Sequence, residues 1–564
     1  MNTISFLESS EELYDDSIAM LKRNWVSSGY HSMIPTGTPV HSTRETFYYA
    51  VALIRSGDRK YIERGHRVIS ACIALQDQDP TSKTYGIWPY TFEESLEQMA
   101  PPDWNWADFC GAPIALMLHD DLDTLEPSLV ETMRRSLVHA AYSIFRRNVQ
   151  SGYTNIAIMG GGVTAATGEL LEIPFLVEYG RKRLENFVEH TKYHGDFNEY
   201  NSPTYTMVAL EEAERILHLV HDPVCRDCAE WIRRHAWKVI ADHFHPATQQ
   251  WAGPNSRTYA DYIRYGHAKK LSRQTGVSIT VVGEDEDTKR SILNEIPPFF
   301  PEPPCPPEII SRFSQLPADP CVLSERFFRG ETEHDSVYGY TWLTDGACLG
   351  SINHDTMWTQ RRGLLGYWPV GSDAVAFFRC QFLKDGKDFA SVGIVNAQDH
   401  NSVLTGACFL DNKGDYHIHL DRPSNGRFSA STLLLRFSVH ARGARVVDLG
   451  GGVFEIGAGE YAARIYTTVP VFDGREIEWR TGTSETDAWL EAVCRDGDLF
   501  EFTPSALGET RLIAGTEIIT IGAAAASRSA PTVSDAGDRW NASWKTDRGT
   551  DLSIVVPKTC FADF

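Results

Sequence analysis

The segment HGDFNEYNSPTY at residues 194–205 holds the side chains with the clearest chemical potential. Its Gly-Asp turn and its Ser-Pro pair predict that Tyr205 lies at or just inside the start of a helix. A helix N-terminus favours a developing anion, so the phenolic oxygen of Tyr205 could take up and return a proton. A tyrosine packed in the core is the alternative interpretation. The other candidates in this segment are His194, Glu199, Tyr200 and Asn201.

Four further segments combine aromatic rings with amide and charged side chains at predicted loop positions. Flat rings with polar edges, together with directed hydrogen-bonding groups, suit the faces and hydroxyls of sugars. The same rings could instead fill gaps between helices. The segments are GIWPY (86–90), DWNWADF (103–109), YTNIAIMGGG (153–162) and WAGPNSRTY (251–259), with Trp88, Trp104 and Trp106 as candidate sugar-binding residues.

A second concentration of functional groups lies much later in the chain, at residues 351–368. Pockets favour domain interfaces, so these side chains could complete a site together with the earlier segments. The two adjacent arginines could alternatively be interface cations that pair with acidic residues of the other half. The candidates here are His354, Trp358, Arg361 and Arg362.

The elements that must position these residues change character once along the chain. In the first half, apolar residues recur at intervals of three, four and seven, as in residues 60–77 and 204–220. Seven or more such helices joined by short loops predict a bundle, a solenoid or a closed toroid. The other predicted helices cover about 126–148, 165–187, 224–243 and 257–275.

The proline-rich segment IPPFFPEPPCPPEI, which begins at Ile296, separates the two halves. Neither a helix nor a central strand can cross it, because proline lacks an amide hydrogen and restrains the residue before it. Beyond it the apolar period becomes two, as in residues 433–439, which predicts packed antiparallel sheets. We therefore predict a helical domain at 1–296, a linker at 297–320 and an antiparallel β domain at 321–564.

Charge and composition narrow the classes of partner. The formal net charge is −22 and there is no Lys/Arg-rich run, which argues against a nucleic-acid partner. No stretch approaches the ~18 apolar residues of a membrane span. The acidic first twenty residues do not resemble a secretory signal, and eleven scattered cysteines suit a reducing compartment. The prediction is a cytoplasmic protein with an anionic small substrate, and a homodimer is compatible with it.

Asn155 and the later pattern Gly-Asp-aromatic-x-Glu-x-x-Ser-Pro-x-Tyr at 195–205 resemble the polysaccharide lyases of the heparinase II/III and oligoalginate lyase type. That resemblance implies an (α/α) toroid of helical hairpins followed by an antiparallel β-sandwich domain. It implies Tyr205 as the catalytic tyrosine and Asn155 as the residue that binds the substrate carboxylate. The family often has a histidine directly after the asparagine, where this chain has Ile156. For the family's second histidine, early in the β domain, the nearest candidate is His354.

The implied reaction is β-elimination, in which a uronic acid loses its C5 proton and expels the group on C4. The proton is acidic enough only if the adjacent carboxylate is neutralised. Asn155 could donate a hydrogen bond to that carboxylate, and Arg361 or Arg362 could pair with it in bidentate fashion. Tyr205 would act as base and then acid if nearby positive charge lowers its pKa, with His354 as a second candidate for either role.

Two other functions remain open at this stage. A glycoside hydrolase on the same type of toroid would use paired carboxylates, for which Asp108, Asp196 and Glu199 are available. A helical scaffold with a glycan-binding or protein-binding β module needs no catalyst.

No redox or nucleotide cofactor is expected. The glycines at 160–162 lack the Lys-Ser/Thr of a phosphate loop, so we predict close helix packing there. His417 and His419, with His400 or Asp415, could hold a structural divalent metal, although an outward-facing strand pair explains them as well.

Overall fold

The computed structural model describes residues 3–27, 30–282, 298–355, 360–372, 374–417, 421–523 and 529–558. The α-helices within these ranges are α1 (Thr3–Ser9), α2 (Thr43–Ile54), α3 (Arg59–Ile73), α4 (Trp106–Asp120), α5 (Pro127–Arg147), α6 (Thr154–Leu170), α7 (Pro174–His194), α8 (Tyr205–Leu219), α9 (Pro223–His243) and α10 (Tyr265–Thr275).

Eight of these helices form four hairpins, α2–α3, α4–α5, α6–α7 and α8–α9. Contacts between hairpins join α2 to α4, α4 to α6 and α6 to α8 as an inner layer, with α3, α5, α7 and α9 outside. Because α4 and α6 are covered on nearly every side, almost all of their residues are buried and they lack a polar stripe. The inner helices all run in one direction, so their N-termini meet at one end of the domain and their C-termini at the other.

The glycines at 160–162 lie inside α6, where they allow neighbouring helices to approach closely. A Cβ atom on Gly161 would lie 3.0 Å from the Leu184 side chain, and one on Gly162 would lie 2.7 Å from Ile216. The prediction of close helix packing is confirmed.

The predicted helices at 165–187 and 257–275 are wrong, and in each case the chain is interrupted or irregular where a continuous helix was predicted. The pattern over 165–187 is broken, because α6 ends at Leu170 and Pro174, which lacks an amide hydrogen, opens α7. The pattern over 257–275 is helical only from Tyr265, and the residues before it form an irregular segment that reaches the β domain. Tyr205 is the first residue of α8, as predicted.

The strands within the described ranges are β1 (Tyr14–Asp15), β2 (Met20–Asn24), β3 (Pro39–His41), β4 (Phe244–His245), β5 (Gln250–Trp251), β6 (Cys321–Phe328), β7 (Val337–Leu343), β8 (Cys348–Ile352), β9 (His354–Asp355), β10 (Leu364–Val370), β11 (Ala374–Lys384), β12 (Lys387–Asp388), β13 (Val392–Asp399), β14 (Ser402–Phe409), β15 (Phe428–His440), β16 (Arg445–Gly450), β17 (Val453–Ala458), β18 (Tyr461–Thr467), β19 (Val471–Phe472), β20 (Arg475–Glu476), β21 (Trp479–Thr483), β22 (Asp487–Phe502), β23 (Leu512–Thr520), β24 (Thr532–Asp535), β25 (Arg539–Lys545) and β26 (Asp551–Pro557).

The described part of the β domain contains three stacked antiparallel sheets and the short two-stranded hairpin β19–β20. A nine-stranded sheet, in the order β21-β22-β15-β11-β10-β8-β7-β6 with β12 beside β11, packs against a seven-stranded sheet in the order β16-β17-β18-β23-β14-β13-β9. The three-stranded sheet β24-β25-β26 covers the other face of the seven-stranded sheet. The predicted fold class, helical hairpins followed by packed antiparallel sheets, is confirmed.

The proline-rich joint packs closely against the helices. Phe300, Cys305 and Phe313 are buried in the helical core, and β6 begins at Cys321. Residues 283–297, which include the first prolines of the joint, lie outside the described residues.

The two domains meet across one face of the nine-stranded sheet. Ala252 packs with Leu365 and Phe377 of that sheet, and the Thr341 hydroxyl donates to the Gly253 carbonyl at 2.6 Å. The segment 250–262 therefore belongs to the helical half in sequence but lies against the β domain in space. None of the described helices is both long and apolar enough to cross a membrane.

Candidate functional site

A cavity of about 510 Å³ opens where the N-termini of the four inner helices meet. We call it the tyrosine cavity. Its lining residues are Arg23, Trp25, Val26, Tyr30, His31, Ser42, Arg44, Glu45, Tyr90, Asp103, Asn105, Trp106, Phe109, Tyr153, Asn155, Tyr205, Arg257 and Tyr259. Ser42 precedes α2, Asn105 precedes α4, Tyr153 precedes α6 and Tyr205 opens α8, so each hairpin supplies part of the wall.

Arg257 is the centre of the polar contacts in this cavity. One of its terminal nitrogens, Nη2, donates to the Tyr205 hydroxyl at 2.7 Å and to the Tyr259 hydroxyl at 3.2 Å. The two hydroxyls lie 2.8 Å apart, and the guanidinium carbon lies 4.6 Å from the Tyr205 ring centroid. The other terminal nitrogen, Nη1, lies 3.0 Å from a carboxylate oxygen of Glu199.

The β domain holds Arg257 in place. Its neighbour Asn255 exchanges two backbone hydrogen bonds with Arg362, and the Thr258 amide donates to the Gln360 carbonyl at 2.6 Å. The Gln360 side chain accepts from Arg257 Nε at 2.8 Å. Arg257 itself has a φ of 46°, an uncommon left-handed conformation for a long side chain, which these flanking bonds stabilise.

Glu199 is the buried counter-ion of Arg257. Only 4% of the residue is exposed, and burial raises the pKa of its carboxyl, against the lowering effect of Arg257 and of the backbone amides at the start of α6. The cost of burying this carboxylate is offset because a cation and a helix N-terminus both face it.

Burial raises the pKa of Tyr205 well above its ordinary value of about 10, although the Arg257 guanidinium opposes that shift. Tyr259 and Glu199 raise it further, because each disfavours a second negative charge nearby. In the absence of substrate the hydroxyl of Tyr205 is therefore protonated at neutral pH.

Asn155 is the second residue of α6 and lies on the floor of the same cavity. Only 3% of it is exposed, and its side-chain oxygen has no hydrogen-bond partner among the described residues. The neighbouring Tyr153 hydroxyl accepts from the Asn105 side chain at 3.0 Å. A buried amide oxygen without a protein partner at this position is suited to a hydrogen-bond donor of a ligand, such as a sugar hydroxyl.

The opposite wall of the cavity is aromatic. The Trp106 and Tyr90 ring centroids lie 4.0 Å apart with an interplanar angle of 35°, and the Tyr90 hydroxyl donates to Asp103 at 2.7 Å. Arg44 lies over the Phe109 ring at 4.2 Å. Of the three predicted sugar-binding tryptophans, Trp106 alone lines this cavity.

The other two tryptophans lie elsewhere. Trp88 is fully buried in the helical core, where its indole nitrogen donates to the Cys72 carbonyl at 3.0 Å, so it fills a gap between helices. Trp104 lines a separate cavity of about 380 Å³ beside Arg146.

Two predicted binding residues of the 194–205 segment contact the β domain, and a third holds the segment 251–254 that lies against it. His194 stacks on Phe328 with ring centroids 4.3 Å apart, and Tyr200 stacks on Phe327 at 4.6 Å. The side chain of Asn201 donates to the carbonyls of residues 252 and 254 and accepts from Trp251. None of the three is among the residues that line the tyrosine cavity.

The β-domain candidates also lie outside that cavity. His354 is 5% exposed, with Nε2 3.1 Å from the His334 carbonyl. Arg361 donates to Asp388 and to two backbone carbonyls inside the β domain. Arg362 pairs with Asp261 of the helical half at 2.6 Å. It is therefore an interface cation, which was the alternative interpretation of this residue. Trp358 lies outside the described residues.

The carboxylates proposed for a hydrolase are not gathered in the cavity. Burial in α4 raises the pKa of Asp108 to about 7, against the lowering effect of Arg183, and Asp196 pairs with His235 at 2.8 Å. The carboxylates that line the cavity are instead Glu45 and Asp103.

A larger cleft of about 1,290 Å³ adjoins the tyrosine cavity, and Tyr30 lines both. One wall is the outer face of the nine-stranded sheet, with Arg379, Arg436 and Trp489. His417 also lines this cleft and lies in a bend rather than in the predicted strand. His419, its predicted partner as a metal ligand, lies outside the described residues.

Sequence reasoning missed Arg257 and Tyr259 as site residues. They lie in the WAGPNSRTY segment, whose aromatic and polar content was a usable signal, but helical spacing over 257–275 assigned them to a helix. In the folded chain this segment turns back toward Tyr205, because the Ser256 amide donates to the Tyr200 carbonyl and the Ser202 hydroxyl donates to the Arg257 carbonyl.

Comparisons with known proteins give the following similarities. The model of a domain of unknown function, DUF8769, matches residues 11–288, and no curated protein matches the chain. Similar solved structures include a heparinase III gene product at 10% identity and TM-score 0.39, covering 99% of this chain and 92% of that one. Another heparinase III has 10% identity and TM-score 0.37, covering 91% and 82%. The heparan sulfate lyase of Pedobacter heparinus has 9% identity and TM-score 0.33, covering 99% and 94%.

The Arg257–Glu199 pair generates a stability prediction. Arg257→Met leaves Glu199 buried without its cation, which is expected to lower the free energy of unfolding by about 3–5 kcal/mol. The double variant Arg257→Met/Glu199→Gln removes the unpaired charge and should recover much of that loss. Urea unfolding followed by circular dichroism measures both. Equal unfolding midpoints for the single and double variants would contradict the pairing.

Proposed function

We propose that this protein is a polysaccharide or oligosaccharide lyase that cleaves a uronic-acid-containing glycan by β-elimination. The observation that carries the proposal is the placement of Tyr205, Arg257 and Asn155 around one cavity, with the Tyr205 hydroxyl 2.7 Å from the guanidinium. A proton-transfer group, a fixed cation and an amide whose NH2 group can donate to a carboxylate are the three elements that this reaction needs.

The chemistry assigns a role to each group. The Asn155 amide binds the uronate carboxylate and withdraws charge from it, which acidifies the C5 proton. Tyr205, as phenolate stabilised by Arg257, removes that proton. The electron pair of the broken C5–H bond forms the C4–C5 double bond, and the C4–O bond breaks. The leaving oxygen receives its proton from the Tyr205 hydroxyl or from Tyr259, which shares a hydrogen bond with it.

Arg257 and Tyr259 supply the charged and hydrogen-bonding groups next to Tyr205 that the residue after Asn155, Ile156, cannot supply. Ile156 is buried and has no titratable group, and His354 lies outside the cavity. A permanently charged guanidinium in contact with the phenol favours the phenolate through both Coulombic attraction and a charge-assisted hydrogen bond. The proposal therefore assigns the activating role to Arg257 rather than to a histidine.

The cavity also fits the substrate class. Trp106 and Tyr90 offer ring faces to a sugar, and Arg44 adds positive charge beside them, whereas the charge of Arg23 is paired with Glu45. Four helix N-termini point at the same space and favour an anion. The adjoining cleft beyond Tyr30 leaves room for further sugar units of an oligosaccharide.

The deciding experiment incubates the purified protein with a panel of uronate oligosaccharides. Ultraviolet absorbance of the unsaturated product and new reducing ends are followed together, and both signals are expected to rise in equal molar amounts. Reducing ends without absorbance would reject the lyase in favour of a hydrolase, for which Glu45 and Asp103 would then be the carboxylates to test. Neither signal on a broad panel would favour the non-catalytic glycan-binding function.

Tyr205→Phe removes the proton-transfer group and is expected to lower kcat by about 100- to 10,000-fold with little change in folding. The matched control is Tyr179→Phe. The Tyr179 hydroxyl also accepts from an arginine, Arg183, at 2.9 Å and contacts a second polar group, but it lies outside the cavity. The control should retain wild-type activity. An active Tyr205→Phe variant would reject Tyr205 as the catalyst.

The pH dependence follows from the raised pKa of Tyr205. The base is the deprotonated form of Tyr205. At pH values below its pKa, the deprotonated fraction increases about tenfold for each unit by which the pH is raised. We expect log kcat/KM to rise with a slope near one from pH 7 to pH 10 without a plateau. A plateau that begins near neutral pH would show that another group is the base.

A further inference from the structure

A cluster of metal-ligating side chains lies at the opposite end of the inner helices from the tyrosine cavity. His119 and Asp120 are the last residues of α4, and His218 lies in the last turn of α8. His119 Nδ1 lies 2.5 Å and His218 Nε2 lies 3.0 Å from the same oxygen, Oδ1 of Asp120. The three side chains are 24%, 21% and 23% exposed, so a hydrated ion has access to them.

The spacing of these donor atoms is close to that of a coordination sphere. Two imidazole nitrogens and one carboxylate oxygen lie within 4.8 Å of one another. Zinc binds nitrogen and oxygen at about 2.0–2.2 Å, which places tetrahedral ligands roughly 3.3 Å apart. Small side-chain rotations would bring the three donors to that separation without moving the helices.

The backbone at this end also favours a cation. The C-termini of α2, α4 and α8 meet here, because Arg55 directly after α2 contacts Asp120 and Asp121 at the end of α4. The last carbonyls of a helix carry a partial negative charge. Three such ends in one place give a negative potential that is independent of the side chains.

Arg55 is placed as an outer support rather than as a competitor. Its Nη2 donates to Oδ2 of Asp120 at 2.9 Å, while His119 faces Oδ1 and His218 Nε2 lies 3.0 Å from Oδ1 and 2.9 Å from Oδ2. Arg55 also bonds both oxygens of Asp121 and the carbonyl of Phe299 in the joint. An arginine that holds the second oxygen orients a carboxylate ligand, as outer partners of metal sites do.

We propose that His119, Asp120 and His218 bind a divalent transition-metal ion, with Zn²⁺ as the best match to two imidazoles and a carboxylate. Water completes the coordination. The ion would join the ends of α4 and α8 to each other and, through Arg55 and the stacking of His218 on Phe300 at 5.6 Å, to the joint that leads to the β domain. Its role is structural, since it lies at the far end of the helices from Tyr205 and Arg257.

The test uses the full-length, untagged protein stripped with a chelator. Zn²⁺ is titrated by calorimetry and Co²⁺ by visible spectroscopy, with the thermal midpoint measured with and without Zn²⁺. We expect one ion per chain, the intense visible bands of four-coordinate Co²⁺, and a rise in the thermal midpoint. His119→Ala and His218→Ala should each weaken Zn²⁺ binding by more than about 100-fold, and Arg55→Gln by about 10- to 100-fold.

The controls keep the result decisive. Asp120→Asn keeps the shape of the side chain, so it replaces the alanine variants as the test if one of them does not fold. It should lose the Co²⁺ bands. His440→Ala removes a histidine of the β domain that pairs with Asp487 and should bind as the wild type does. Absence of binding to the stripped wild type, or unchanged affinity in His218→Ala and Asp120→Asn, would overturn the proposal. All these readouts are independent of lyase activity.

Discussion

The burial of one guanidinium organises the rest of this molecule. Arg257 is 8% exposed, yet it contacts Glu199 from one loop, Tyr205 from the start of α8, Tyr259 from its own segment and Gln360 from the β domain. A charge buried this deeply is tolerable only if its partners stay in place. The helical hairpins, the loop after Trp251 and the domain interface are therefore all constrained by the same side chain, and the proposed chemistry uses a contact that the fold already requires.

The direction of the inner helices accounts for the two ends of the helical domain. Since all four run the same way, their positive N-termini surround the tyrosine cavity and negative C-termini gather near Asp120. A preference for anions at one end and for cations at the other are thus two consequences of one arrangement. Neither depends on the net charge of the chain, which is strongly negative.

Local signals predicted much of the fold and part of the site. The change of period at the prolines separated helices from strands, the Ser-Pro pair placed Tyr205 at a helix start, and the glycines at 160–162 indicated close packing. Arg257 was not predicted as a site residue, because its role depends on contacts about fifty and about one hundred positions away. Arg361 was predicted as a substrate-binding residue because its partners are also distant in sequence. Only the folded chain shows that its guanidinium already donates to Asp388 and to two backbone carbonyls.

The reciprocal backbone pair between Asn255 and Arg362 bears on how the protein is divided into units. The matching domain model stops at residue 288, so it contains Tyr205, Asn155 and Arg257 but none of the strands of the β domain. That missing part nevertheless anchors the residues on both sides of Arg257, through Arg362 and Gln360. The segment that the domain model matches and the unit that forms the cavity are therefore different, and the matched segment contains every proposed catalytic group without the strands that anchor the residues beside Arg257.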